Sequence, residues 1–220
     1  MIERKRNVKS SFFFFFLVSS LFADYNYSIS NISDKIEKKM ISGNSHKKNC
    51  PIPLTMLRYL TLEYIDFSGN IKLGELIVHK DVSFEIVKIF KTLYETKYPI
   101  YKMELVSNYK GNDFNSIEAN NTSAYNCRNV EGTNTWSRHA YGKAIDINPI
   151  QNPYISKKGN ISHKKSFKYK TRIHKNLNNP KDKAMILKND IVTKMFKKYN
   201  WNWGGDWSTI KDYQHFDKRK

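Results

Sequence analysis

The segment GKAIDINP, residues 142–149, sets a carboxylate in the middle of an apolar strand. Side chains alternate between the two faces of a strand, so Ile145 and Ile147 share one face and Ala144 and Asp146 the other. The isoleucines are expected in the core. Asp146 is then presented beside a small residue, which leaves space for a partner. His139 lies seven residues upstream, ahead of a glycine (Gly142) that can fold the chain back, so His139 and Asp146 can reach one point in space. For this pair alone a simple His–Asp hydrogen bond accounts for the pattern better, because buried polar groups need partners.

The end of the chain changes that balance. In KDYQHF, His215 follows Asp212 by three residues. In one regular strand the two would face opposite sides, so Asp212 is expected in the turn leaving STIK, with the strand starting near Tyr213. His139, Asp146 and His215 would then make a three-ligand site of nitrogen and oxygen donors. A catalytic zinc characteristically takes three protein ligands and leaves the fourth position for water. Asp212 would be a fourth polar group, beside the metal and not bound to it. His46, His79, His163 and His174 have no ligand-like spacing and read as structural or surface residues. Trp201, Trp203 and Trp207, around Gly204–Gly205, read as core and cleft wall. Ser137 is expected to support the site by hydrogen bonding.

Around these motifs the chain shows two apolar runs, LRYLTLEYIDF and KLGELIVH, separated by SGN, which predict two strands and a turn. DVSFEIVKIFKTLYETKYP has Phe84, Val87, Ile89, Phe90, Leu93 and Tyr94 near helical spacing, with Asp81 placed to cap its start and Pro99 beyond its end. ISDKIEKKMISG predicts a short helix from Asp34 to before Gly43, and NDIVTKMFKKYNW another. IYKMELV and GKAIDINP read as strands, and YKGNDFNSIEANNTSAYNCR as a long loop. Residues 157–183 carry ten Lys/Arg against one acid and read as an exposed excursion. Strands and helices do not alternate as βαβ units, so the class is α+β with a mainly antiparallel sheet.

Residues 1–23 read as an export signal: a basic start, an eleven-residue apolar run FFFFFLVSSLF, and Ala23 at the cleavage position. That run is shorter than the roughly 20 residues of a membrane span, so no stable span is expected after cleavage. The formal charge of +18 includes a net +3 from this leader. The charge invites a nucleic-acid partner, but an exported chain rarely meets one. Anionic envelope polymers fit the same field better, although lysine spread over a solvated surface fixes no partner. Cys50 and Cys127, the only two cysteines, would reach an oxidising compartment, where they either pair or stay as buried thiols.

SRHAYGKAIDINP, followed in order by WNWGGDW and DYQHF, resembles the VanY-type D-alanyl-D-alanine carboxypeptidase family, zinc peptidases that cut bacterial cell-wall peptides. The likeness runs from about Cys50 to Phe216. It implies the hedgehog/D-Ala-D-Ala metallopeptidase fold, with Zn2+ held by His139, Asp146 and His215. It implies Asp212 as the catalytic acid–base group. Arg128, in NTSAYNCR, would be the substrate-side arginine that stabilises an oxyanion or grips a substrate carboxylate; a structural salt bridge is its other reading. The chain departs from the family in its Lys-rich excursion. The expected organisation is a signal peptide at 1–23, a polar lead-in at 24–49 and a catalytic domain at 50–220. The expected activity is D,D-carboxypeptidase action on peptidoglycan stem peptides in the periplasm, cell envelope or medium. An endopeptidase on the same scaffold and a non-catalytic wall-binding protein are the alternatives.

Overall fold

The computed structural model describes residues 25–219. The expected export leader lies outside the described residues. Among the described residues no helix is long and apolar enough to cross a membrane.

The polar lead-in supplies an edge strand, β1 (Tyr27–Ser30), and a helix, α1 (Asp34–Ser42). Ser33 caps α1 through its Oγ, Gly43 ends it, and Met40 is its buried anchor. The two expected strands form β2 (Leu57–Ile65) and β3 (Ile71–His79), paired antiparallel in the order β1–β2–β3. Asp66 Oδ1 closes their turn by accepting from the backbone of Ser68 (2.8 Å) and Asn70 (2.9 Å). Helix α2 (Ser83–Glu95) lies on β2 and buries Ile86, Val87, Ile89, Phe90 and Leu93, the stripe that helical spacing predicts. Two details differ from expectation. Phe84 is 67% exposed, because it precedes that stripe on the outer side. Asp81 does not cap α2; it sits in a 3-10 turn, Lys80–Val82, that is itself capped by the ring of His79.

The rest of the chain is built from short pieces. The expected strand around Met103 shrinks to β4 (Lys102–Met103), and the expected loop contains α3 (Asp113–Glu118) and β5 (Asn121–Thr122). These are followed by β6 (Ala144–Asp146), β7 (Tyr154–Ile155), α4 (Pro180–Lys183) and α5 (Ile191–Lys198). The chain closes with β8 (Asn202–Trp203), β9 (Lys211–Asp212) and β10 (His215–Asp217). Strands β6, β10 and β8 make a second antiparallel sheet in that order, β7 pairs antiparallel with β9, and β4 with β5 is the one parallel pair among the described strands. The class is α+β with mainly antiparallel sheets.

One large core joins the two three-stranded sheets. Leu60, Leu62, Leu76 and Val78 of the first sheet meet α2, Phe196 of α5, and Ile145, Ile147, Trp203 and Phe216 from the second sheet and its flanks. Phe196 stacks on Phe216 at 3.9 Å between ring centroids. A second cluster of Met40, Leu57, Ile77, Leu105, Tyr125 and Cys127 lies beneath α1. There Cys50 and Cys127 form a disulfide with Cα atoms 5.8 Å apart, within the usual range. Of the two states open to these thiols, the structure holds the paired one.

Candidate metal centre

The outer edge of β3 positions the first cluster residue. Tyr125 N donates to Ile77 O (3.0 Å), and His79 N donates to Gly142 O (2.8 Å), so the loop carrying His139 is pinned to the end of β3. His139 lies in the 3-10 turn Arg138–Tyr141, whose first residue is preceded by Ser137; the Ser137 Oγ accepts from His139 N at 3.3 Å. This is the supporting role expected for Ser137. Gly142 ends the turn at φ +63, and a Cβ there would lie 2.6 Å from His79 N. Both conditions call for glycine.

Asp146 is fixed from two sides. Its backbone exchanges two 2.9 Å hydrogen bonds with Ser123, while β6 pairs with β10 in a register that sets Asp146 directly opposite His215. Directly opposed side chains on one face of an antiparallel pair are in contact. Thus His215, distant in sequence, arrives beside Asp146 through strand register alone. Ile145 and Ile147 enter the core as alternation requires.

The three side chains are buried and converge. Asp146 Oδ1 is 2.9 Å from His215 Nδ1, Asp146 Oδ2 is 3.2 Å from His139 Nε2, and the two ring nitrogens are 3.3 Å apart. The other nitrogen of His139, Nδ1, donates to Ala124 O at 2.5 Å. That bond fixes the tautomer that leaves the Nε2 lone pair facing the cluster, as second-sphere partners of metal-bound histidines do. Ligand atoms about 2.0–2.1 Å from a tetrahedral zinc are about 3.3–3.4 Å from one another. The two nitrogens meet that spacing, the short contacts of Asp146 are made through different oxygens, and the three residues together can hold a metal ion. Burial works to raise the Asp146 carboxyl, but the two histidines outweigh it and hold the group well below the usual carboxylate range. For His215, burial opposes the proton and the hydrogen bond to Asp146 favours it; the balance lifts the ring to about 9.

Asp212 is not in the turn where sequence alone puts it. It occupies β9, opposite Tyr154, and the turn is the following pair Tyr213–Gln214, after which β10 begins. The reason is register: the ladder to β6 starts at His215, so the chain must reverse its facing between positions 212 and 215. Asp212 keeps partial solvent exposure, but its Oδ1 is enclosed and without a hydrogen-bond partner. Burial pushes this carboxyl up to about 6, against the pull of His215 and with the help of Asp146. The WGGDW motif serves this placement. A Cβ at Gly204 would meet Asp212 O at 2.4 Å, and one at Gly205 would meet the Trp203 indole at 2.3 Å. Trp201 and Trp203 are core, and the Trp207 ring lies 5.6 Å from that of His215, as a wall.

Arg128 is engaged elsewhere. Its Nη2 is 2.8 Å from Asp113 Oδ2, its Nη1 donates to Asn129 O, and its Nε is enclosed without a partner. Its own carbonyl accepts from Ser137 N, two residues before His139. The remaining histidines each find a partner outside the cluster: Tyr125 for His46, Asp81 for His79, Glu118 for His163 and Met185 O for His174.

Residues 131–218 match the family model for D-alanyl-D-alanine carboxypeptidase. The matched region contains His139, Asp146, Asp212 and His215, and so covers the whole cluster. It begins after Arg128 and well after Cys50, so it is narrower than the likeness read from the motifs. No curated protein and no solved structure matches the chain.

Proposed function

We propose that the chain is an exported zinc metallopeptidase of the hedgehog/D-Ala-D-Ala metallopeptidase fold, hydrolysing peptidoglycan stem peptides as a D-alanyl-D-alanine carboxypeptidase. One observation carries the reading: inside the region that matches the carboxypeptidase family, two histidines and a carboxylate are buried together with one donor atom of each within 4.8 Å of the others. Zinc held there supplies Lewis-acid polarisation of the scissile carbonyl and an activated water. Asp146, clamped on both sides, fits a ligand, which must stay in place. Asp212, raised toward neutrality and with a free Oδ1, fits a base that takes the proton of the attacking water and returns it to the leaving amine. Export is supported by the basic–apolar leader and by the disulfide, which suits an oxidising compartment. The basic surface suits anionic envelope polymers and substrates.

A second reading has an observation in its favour. A carboxypeptidase must hold the free C-terminal carboxylate of its substrate, and the bidentate fork of Arg128 suits that task. Asp113 already occupies one arm of that fork. If Asp113 stays there during turnover, Arg128 is a structural ion pair, and cleavage within the stem or cross-bridge fits better. Digestion of defined muropeptides by the zinc-loaded protein, with products identified by mass, separates the two. Free D-alanine with an otherwise intact stem supports the carboxypeptidase; internal fragments support the endopeptidase. No hydrolysis of any muropeptide at full zinc occupancy would leave a wall-binding role.

A further inference from the structure

Arg172 belongs to the Lys-rich stretch between the second and third cluster residues, yet its guanidinium is turned inward. Nη1 donates to Gln151 O (2.6 Å) and Tyr169 O (3.1 Å), and Nη2 donates to Asn152 Oδ1 (2.8 Å) and Ile186 O (2.8 Å). All four acceptors are neutral. Among the described residues no carboxylate pairs with this cation, and its Nε is enclosed without a partner. A guanidinium stays charged in such surroundings, and a desolvated charge without a counter-ion is unfavourable unless its remaining contacts are well made. Its remaining contact is a ring: the guanidinium carbon lies 4.3 Å from the centroid of Tyr213. Cation–π attraction is strongest where water is excluded.

Tyr213 is the residue that separates Asp212 from Gln214 and His215. Its carbonyl accepts from Trp203 Nε1 (2.9 Å), and its N–H reaches Pro153 O (3.3 Å). With the Arg172 face contact, backbone and ring are both held. Through Asn152 the same arginine is also linked to Ile147, the residue that follows β6. Asn152 donates to Ile147 O (3.0 Å), and Ile147 N donates to Gln214 O (3.0 Å). The planar, four-bonded fork leaves the guanidinium little freedom to rotate, so the ring it faces is fixed as well.

We infer that Arg172 is a positioning residue that, by clamping the Tyr213 ring, sets the turn that joins Asp212 to His215. What that turn does chemically rests on the metallopeptidase reading; its placement does not. The test uses the purified protein and the variants Arg172→Met, Arg172→Lys, Tyr213→Leu and Tyr213→Phe. Metal-free amide hydrogen exchange reports local opening of residues 211–217. In Arg172→Met and Tyr213→Leu, exchange there should rise about tenfold or more, while β2 and β3 keep their protection. Zinc affinity, titrated calorimetrically, should change less than the exchange rates do, because neither Arg172 nor Tyr213 bonds directly to His139, Asp146 or His215. Tyr213→Phe, which keeps the ring, should match the parent protein, and Arg172→Lys should fall between, because an ammonium cannot reproduce the fork. On muropeptides kcat should fall more than KM rises. Unchanged exchange at 211–217, or faster exchange spread evenly over the whole chain, overturns the inference. If Arg172→Met does not fold, Tyr213→Leu against Tyr213→Phe decides alone. A parent protein that takes up no zinc defeats the metallopeptidase reading, and the exchange data still judge the clamp.

Discussion

Two carboxylates sit near the same histidines, and their surroundings separate them. Asp146 is buried, bonded through Oδ1 to His215, close to His139 through Oδ2 and fixed in a strand; Asp212 has an enclosed oxygen with no partner. Asp212→Asn is expected to keep its zinc while turnover falls by about 10²–10⁴, the range for losing a general base. Asp146→Asn is expected to lose zinc affinity, since an amide is a poorer ligand; metal content after dialysis together with kcat reads both. If the asparagine at 212 loses zinc and that at 146 retains it, the roles are exchanged. The pH profile follows from the Asp212 carboxyl, raised to about 6 without metal. A nearby dication lowers a carboxyl pKa, so the acid limb of kcat/KM is expected at or below about pH 6, with activity lost as pH falls and the base protonates. Asp212→Asn should remove that limb. In the metal-free protein the sign is opposite for stability. A carboxyl raised on folding binds its proton more tightly when folded, so its contribution declines as pH rises from its unfolded value through about 6. The cluster residues were legible in sequence because the carboxylate between two core isoleucines was joined by DYQHF, which supplied His215, and by a motif order resembling a known family. The position of Asp212 was not, because a two-residue strand leaves no periodicity to read. Nor did sequence place Asp113 on Arg128, a contact that only tertiary structure creates.

At the scale of elements, long strands and helices announced themselves and short ones did not. β2, β3 and α2 have full alternation or a full stripe. By contrast α3 and β5 lay hidden in a polar stretch, and Phe84 matched the helical spacing while pointing outward, because periodicity over one turn does not fix a face. Around the site the glycines carry the elements into contact. At Gly204 even one methyl group would strike the backbone of β9. Gly204→Ala is therefore expected to cost about 1–3 kcal/mol, the scale of overpacking, and to lower kcat by displacing Asp212. Urea midpoints alongside steady-state rates check it. A variant with unchanged turnover would mean that β9 tolerates the shift and that the close approach does not serve the site.

For the whole molecule, the disulfide ties the segment before β2 to the segment before the His139 turn, across 77 positions. By loop-closure entropy such a bridge contributes about 4 kcal/mol. Denaturation with and without reductant should show a loss of that order, and equal midpoints would show that the second cluster holds the two segments without it. Both cysteines belong to the second core cluster and not to the His139, Asp146 and His215 group, so zinc affinity measured under reducing, non-denaturing conditions is expected to stay within a few-fold of the oxidised protein. The three donors are spread unevenly along the chain. Synthesis runs from the N-terminus, so His139 and Asp146 emerge together, whereas His215 follows 69 positions after Asp146. Until β10 is released and zips onto β6, the nascent polypeptide offers two donors of three. On the proposed reading, a complete donor set would therefore form only once position 215 has been made and has reached β6, so uptake of Zn2+ is expected in the finished chain and not in fragments that stop before β10.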